Sequence, residues 1–142
     1  FPQPLKHEEG LDFSFSGLKT ALRYLIRDTA DWQTKMADMS ASYEQALCAH
    51  LCDRVENALE HYPEIREVHL VGGVSANTRL RAMLQASAKG CTVRFPAKLS
   101  YCTDNAAMIA AAGTFLLMEQ PELATKSFAV VASMPLAEAL HS

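Results

Sequence analysis

Val68-His69-Leu70-Val71-Gly72-Gly73-Val74-Ser75-Ala76-Asn77 decides how this chain is read. Val68, Leu70 and Val71 predict a short buried strand, and Leu80, Met83, Leu84 and Ser87 follow at helical spacing. Gly72 and Gly73 therefore fall where a strand turns into a helix. Backbone without a Cβ lets a ligand approach there, and helix N–H groups point outward toward an anion. A nucleotide site is one reading of that chemistry. A tight turn with Ser75 or Asn77 as helix cap is the other, and spacing alone divides them evenly. The stretch is neither a Walker A loop nor a GxGxxG fingerprint.

Outward from this turn, the pattern repeats. Leu11 to Ser16 alternates apolar and polar side chains, predicting a half-buried strand. Gly17 follows, then Leu18, Ala21, Leu22, Leu25 and Ile26 at helical spacing, with Ser16 as the expected cap. A long helix carries Met36, Met39, Tyr43, Leu47, Leu51, Val55 and Leu59 and stops before Pro63. Strands are expected at Glu67–Val71 and Cys91–Phe95, with Gly90 closing the helix between them. A helix around Met108, Ile109, Ala112, Phe115 and Leu116 comes next, its Gly113 suggesting close packing. A last short strand is expected at Phe128–Val131 in an otherwise irregular tail. Strands alternating with helices indicate an α/β domain with a partly parallel sheet.

The 142 residues amount to one domain, 1–142. An apolar share of 49% with 20% charged describes an ordinary globular chain. No apolar run approaches the roughly 20 residues of a membrane span, and no signal peptide opens the chain, so a cytoplasmic protein is expected. Phe1-Pro2-Gln3-Pro4 reads as the interior of a longer protein. The net charge of −3 argues against a chain that binds RNA unaided. Four scattered cysteines, Cys48, Cys52, Cys91 and Cys102, suit reduced thiols better than a disulfide scaffold or half of a metal site. Five histidines show no HxxxH or HExxH spacing, and no GxSxG elbow exists. Lys19 reads as a solvated lysine. Arg79, Arg81, Lys89, Arg94 and Lys98 make either a basic patch or, by default, scattered surface charge. At Thr103-Asp104-Asn105 the aspartate is a candidate metal ligand or phosphate-site acid, with helix capping the better-supported role.

Three blocks, taken in order, carry a resemblance: Asp12-Phe13-Ser14-Phe15-Ser16-Gly17-Leu18-Lys19-Thr20, Gly72-Gly73-Val74-Ser75-Ala76-Asn77 with Arg79-Leu80-Arg81, and Cys102-Thr103-Asp104-Asn105-Ala106-Ala107-Met108-Ile109-Ala110. Together they resemble the tRNA adenosine N6-threonylcarbamoyltransferase (TsaD) family, formerly called O-sialoglycoprotein endopeptidase or glycoprotease. The tail with Met134-Pro135-Leu136 fits its bacterial branch. The resemblance implies the C-terminal lobe of an actin-like, Hsp70-like (ASKHA, RNase H-like) ATPase fold, a mixed sheet flanked by helices. It implies a transferase that moves the threonylcarbamoyl group from threonylcarbamoyl-AMP to N6 of adenosine 37 in tRNAs reading ANN codons. Gly72, Gly73, Ser75 and Asn77 would contact an ATP- or AMP-type nucleotide, and Asp104 would be one ligand of a divalent metal, usually iron. A smaller inactive paralogue and an ATPase are the implied bacterial partners.

The family's HxxxH metal ligands and SGGH-type loop do not occur in these 142 residues. The chain alone is therefore expected to hold no metal, to bind nucleotide weakly and not to catalyse transfer. Apolar surface near Met108–Leu117 predicts self-association. Two rival readings are a small-molecule kinase lobe of the same fold and a non-catalytic, partner-binding paralogue. The Ser14–Thr20 block argues against the first, and Asp104 with the intact glycine turn against the second.

Overall fold

The computed structural model describes residues 1–6 and 10–127. Helix α1 spans Ser16–Asp28 and α2 spans Met36–His61. Strand β1 (Glu67–His69) leads through a 3-10 turn, Gly73–Ala76, into α3 (Thr78–Ser87), and β2 (Thr92–Arg94) follows. A second 3-10 turn, Leu99–Tyr101, precedes α4 (Ala106–Glu119) and a third, Pro121–Thr125. The chain divides into two compact units, Phe1–Asp104 and Asn105–Ser142.

In the first unit, α2 has 26 residues without glycine or proline. It ends where Tyr62 N–H still reaches the Ala58 carbonyl and Pro63 removes the next donor. Cys48 and Cys52, one turn apart on α2, bury against Leu80 and Leu84 of α3. Leu51, Val55, Val68, Leu70, Met83 and Val93 close around them. Burying a leucine side chain is worth roughly 1.5–3 kcal/mol, so this cluster is what holds α2, α3 and the strands together.

β1 and β2 pair in parallel, Glu67 opposite Thr92, Val68 opposite Val93 and His69 opposite Arg94. A parallel pair needs a crossover, and α3 supplies it. The result is an α/β unit, and the only sheet among the described residues is this two-stranded parallel one. The mixed sheet of the sequence reading is thus not seen within them. Val71, expected inside the strand, is 70% exposed, because pairing stops just after Leu70 donates to the Arg94 carbonyl at 2.8 Å.

The expected strand at Leu11–Ser16 does not form. Residues 11–15 lack a strand partner among the described residues, and α1 already begins at Ser16, which is its first residue and not its cap. The alternation has another cause. Phe13 and Phe15 stack with 6.4 Å between ring centroids, and both meet the His50 ring edge-on. Ser14 N–H, which would have joined a ladder, donates to His50 Nε2 at 3.2 Å.

In the second unit, α4 buries no residue. Met108, Ile109, Phe115, Leu116, Leu117 and Met118 are all exposed, and a Cβ added at Gly113 would meet nothing within 4 Å. The close packing expected at Gly113 is thus not seen among the described residues. The strand expected at Phe128–Val131 lies outside the described residues.

Candidate nucleotide-contacting turn

Gly72 adopts φ +81°, ψ 175°, a conformation essentially reserved for glycine. Its carbonyl accepts Ser75 N–H at 2.9 Å, and Val74 carbonyl accepts Asn77 N–H at 3.0 Å, so two tight turns lead directly into α3. A Cβ at Gly72 or Gly73 would meet nothing within 4 Å, so backbone dihedral, not crowding, requires the first glycine. Both glycines lie exposed, flanked by Val71 and Val74, also exposed. Ser75 points the other way. It is fully buried, and its hydroxyl has no hydrogen-bond partner among the described residues. A ligand on the outer face of the turn meets the Gly72–Gly73 backbone and the valines, not the Ser75 hydroxyl.

Asn77 caps α3: its Oδ1 accepts Leu80 N–H at 2.8 Å. The cap is also tied to α2. Asn77 Nδ2 donates to Glu44 Oε1 at 2.7 Å, and the Cys48 thiol lies 3.9 Å from Asn77 Oδ1. Burial, reinforced by the Glu44 charge, pushes the Cys48 thiol pKa up, which keeps it a protonated donor. Glu44 Oε2 pairs with Arg79 Nε at 3.1 Å, and Arg79 reaches Gln45 Oε1 at 2.9 Å. An amide carries two N–H donors, and Glu44 uses one. Glu44 and Gln45 escaped sequence reasoning; nothing in a helical stripe marks which polar neighbours will meet a distant cap.

Arg81 was read with its neighbours as a possible basic patch. The structure disperses that cluster: Arg79 pairs with Glu44, Arg94 with Glu67 at 2.6 Å, and Lys98 lies over the Tyr101 ring. Arg81 turns inward instead. Its Nε donates to the Ser75 carbonyl, and its guanidinium reaches the Pro96 carbonyl at 3.3 Å and Cys102 Sγ at 3.5 Å. Its guanidinium carbon sits 4.3 Å from the centroid of the Phe95 ring. The glycine turn and the Cys102–Asp104 loop are thus joined through one side chain.

The cap of α4 is Asn105, whose Oδ1 accepts Met108 N–H at 3.0 Å, and not Thr103 or Asp104. Asp104 is exposed. Among the described residues, no group of three or more His, Cys, Asp or Glu side chains could hold a metal ion. One carboxylate does not make a site for a metal that takes four or more ligands, so these residues alone do not fit one. The described histidines serve structure: His50 is buried, His61 Nδ1 lies 2.8 Å from the Asn57 carbonyl and His69 is 2.9 Å from Glu67. His7 and His141 lie outside the described residues. No described helix is long and apolar enough to cross a membrane.

A family model described as TsaD, tRNA N6-adenosine threonylcarbamoyltransferase, matches residues 1–111. Curated proteins of that name are similar to this chain. Those of Rhizobium etli and Carboxydothermus hydrogenoformans are each 45% identical over 80% of the chain and 33% of their own length. That of Bartonella tribocorum is 43% identical over 96% of the chain and 41% of its own. The chain thus spans a third to two fifths of these relatives. With residues 1–111 matched, the glycine turn, its Asn77 cap and the Cys102–Asp104 loop all fall inside the shared region, and the chain belongs to the tRNA N6-adenosine threonylcarbamoyltransferase family.

Proposed function

We propose that this chain is the C-terminal, nucleotide-contacting lobe of an actin-like-fold enzyme that transfers a threonylcarbamoyl group from threonylcarbamoyl-AMP to N6 of adenosine 37 in tRNA. The observation that carries the reading is the open Gly72–Gly73 backbone, flanked by exposed valines and followed by a capped helix. An apolar rim with an accessible backbone suits a purine nucleoside, with the second Nδ2 hydrogen of Asn77 available to it. The names of the relatives support tRNA as the acceptor.

The chemistry asks for positioning. The adenine amine is a weak nucleophile, and the mixed anhydride is a reactive acyl donor. The N6 nitrogen attacks the carbamoyl carbon, the carbon–oxygen bond to phosphate breaks, AMP departs with the electron pair, and N6 gives up a proton. Holding donor and acceptor in line supplies much of the acceleration. Gly72, Gly73 and Asn77 would hold the AMP portion, and Asp104 would contribute one ligand to a divalent metal, iron in the family, completed by residues outside these 142. No side chain here is assigned as general base. Where the chain is alone, α4 with its exposed apolar side chains pairs with a second copy.

The test is transfer to tRNA by the full-length protein, with Asp104→Ala beside it. Removing one charge-stabilising group should lower turnover roughly 10²–10³-fold. Full activity in the variant would end the role given to Asp104. No transfer by the unsubstituted protein would end the reading itself.

A further inference from the structure

We infer that Arg81 is a positioning residue that sets the distance and orientation of the Cys102–Asp104 loop relative to the glycine turn; this rests on the reading of both segments as parts of one substrate site. Four contacts radiate from one planar group: the Ser75 carbonyl in the turn, the Pro96 carbonyl, the face of Phe95 and the Cys102 thiol. The guanidinium presents its donors in a rigid fork, so it fixes directions as well as distances. Its acceptors are neutral. Among the described residues it makes no ion pair, unlike Arg79 and Arg94, which pair on the surface.

The arrangement follows from where the residues fall in sequence. Arg81 lies one helical turn after the Asn77 cap, and Asn77 carbonyl accepts its N–H at 3.1 Å, so the base of the side chain is locked to the turn. Its tip reaches past the end of β2 to Phe95 and Pro96 and to Cys102, two residues before Asp104. Cys102 is buried, so the loop is anchored at that residue while Asp104 stays exposed. Arg81 meets the turn at the Ser75 carbonyl. It acts through the two segments it joins.

The test compares Arg81→Met and Arg81→Lys with the unsubstituted full-length protein, using threonylcarbamoyl-AMP and tRNA, and follows amide hydrogen exchange. Methionine keeps an unbranched apolar chain and removes every side-chain donor. Lysine keeps the charge and reaches at most one of the carbonyls at a time. For Arg81→Met, kcat per folded molecule should fall about ten- to a hundredfold while KM for the donor moves far less, since misalignment by about 1 Å can cost a hundredfold. Lysine should fall between. Exchange should quicken at residues 72–76 and at 99–104 together, leaving α2 as it was. Unchanged kcat per folded molecule overturns the inference, as does faster exchange confined to one segment or spread through α2. Should the unsubstituted protein transfer nothing, the proposed function fails, and the exchange data still decide whether Arg81 joins the two segments.

Discussion

Two helices of this protein begin the same way and end in opposite surroundings. Asn77 and Asn105 each sit in extended backbone and accept the N–H three residues on, at 2.8 and 3.0 Å. Beyond the cap, α3 turns Leu80 and Leu84 into a core, whereas α4 buries nothing. The two capping bonds are the same, so the cap cannot be what decides burial. Composition decides it: α3 places Arg79, Arg81 and Gln85 around an apolar stripe, while α4, whose one polar residue before Glu119 is Thr114, is apolar on all sides. A stripe has one orientation that hides it from water; a helix apolar all round needs neighbours on every side.

The largest effect that could break this comparison is in the cores themselves. Leu84→Ala should destabilise the chain by about 2–5 kcal/mol, because the buried site cannot fully collapse around the loss. Phe115→Ala removes more apolar atoms from a residue that is 68% exposed, yet should leave the unfolding free energy almost unchanged. Urea denaturation of both variants, at low concentration, measures the difference. Equal losses would mean that α4 is packed as α3 is. In sedimentation at rising concentration, Phe115→Ala should weaken self-association while Leu84→Ala does not.

The same contrast shows how much could be read from the sequence. The sequence offers Ser75 or Asn77 as the cap; Asn77 takes the role because it stands three residues before Leu80, where the apolar stripe begins. At the other helix, among Thr103, Asp104 and Asn105, capping is the better-supported role for Asp104 by residue type; the backbone instead uses Asn105 and leaves Asp104 exposed. Leu11–Ser16 misled because alternation reports an extended backbone, not a partner strand, and the two phenylalanines found His50 instead. Arg81 looked like surface charge since nothing local distinguishes it from Arg79. Only the return of β2 and its loop brings carbonyls within its reach. The tie from Asn77 to Glu44 is hidden for the same reason, joining residues 33 positions apart.

That tie adds to what the Asn77 cap contributes. Asn105→Ala should cost about 1 kcal/mol, the ordinary worth of a cap. Asn77→Ala loses its cap and also the bond to the Glu44 carboxylate, which keeps Arg79 as a partner, so the lost tie adds about 0.5–1.5 kcal/mol. Asn77→Asp keeps the cap but sets two carboxylates together, so it should not rescue. A double-mutant cycle with Glu44→Gln isolates the coupling, and a coupling near zero would reduce Asn77 to a cap alone.

The smallest effect separates the two units by pH. The first carries a titratable group inside it, whereas the only titratable side chain of α4 is Glu119, at its last residue. Burial, with the Arg54 charge beside it, holds the His50 pKa below its ordinary 6.5, against an opposing pull from Asp53 and the Pro4 backbone. The neutral ring also suits its place, accepting Ser14 N–H while Phe13 and Phe15 meet it edge-on. With the folded-state pKa depressed, the unfolded chain binds more protons below 6.5. The stabilisation is therefore complete above that pH and drains away as pH falls through it toward the folded value. Urea midpoints followed from pH ~7.5 down to ~5 should decline, and His50→Gln should flatten the decline at the cost of some stability throughout. Were the decline unchanged in His50→Gln, His50 would not be its source.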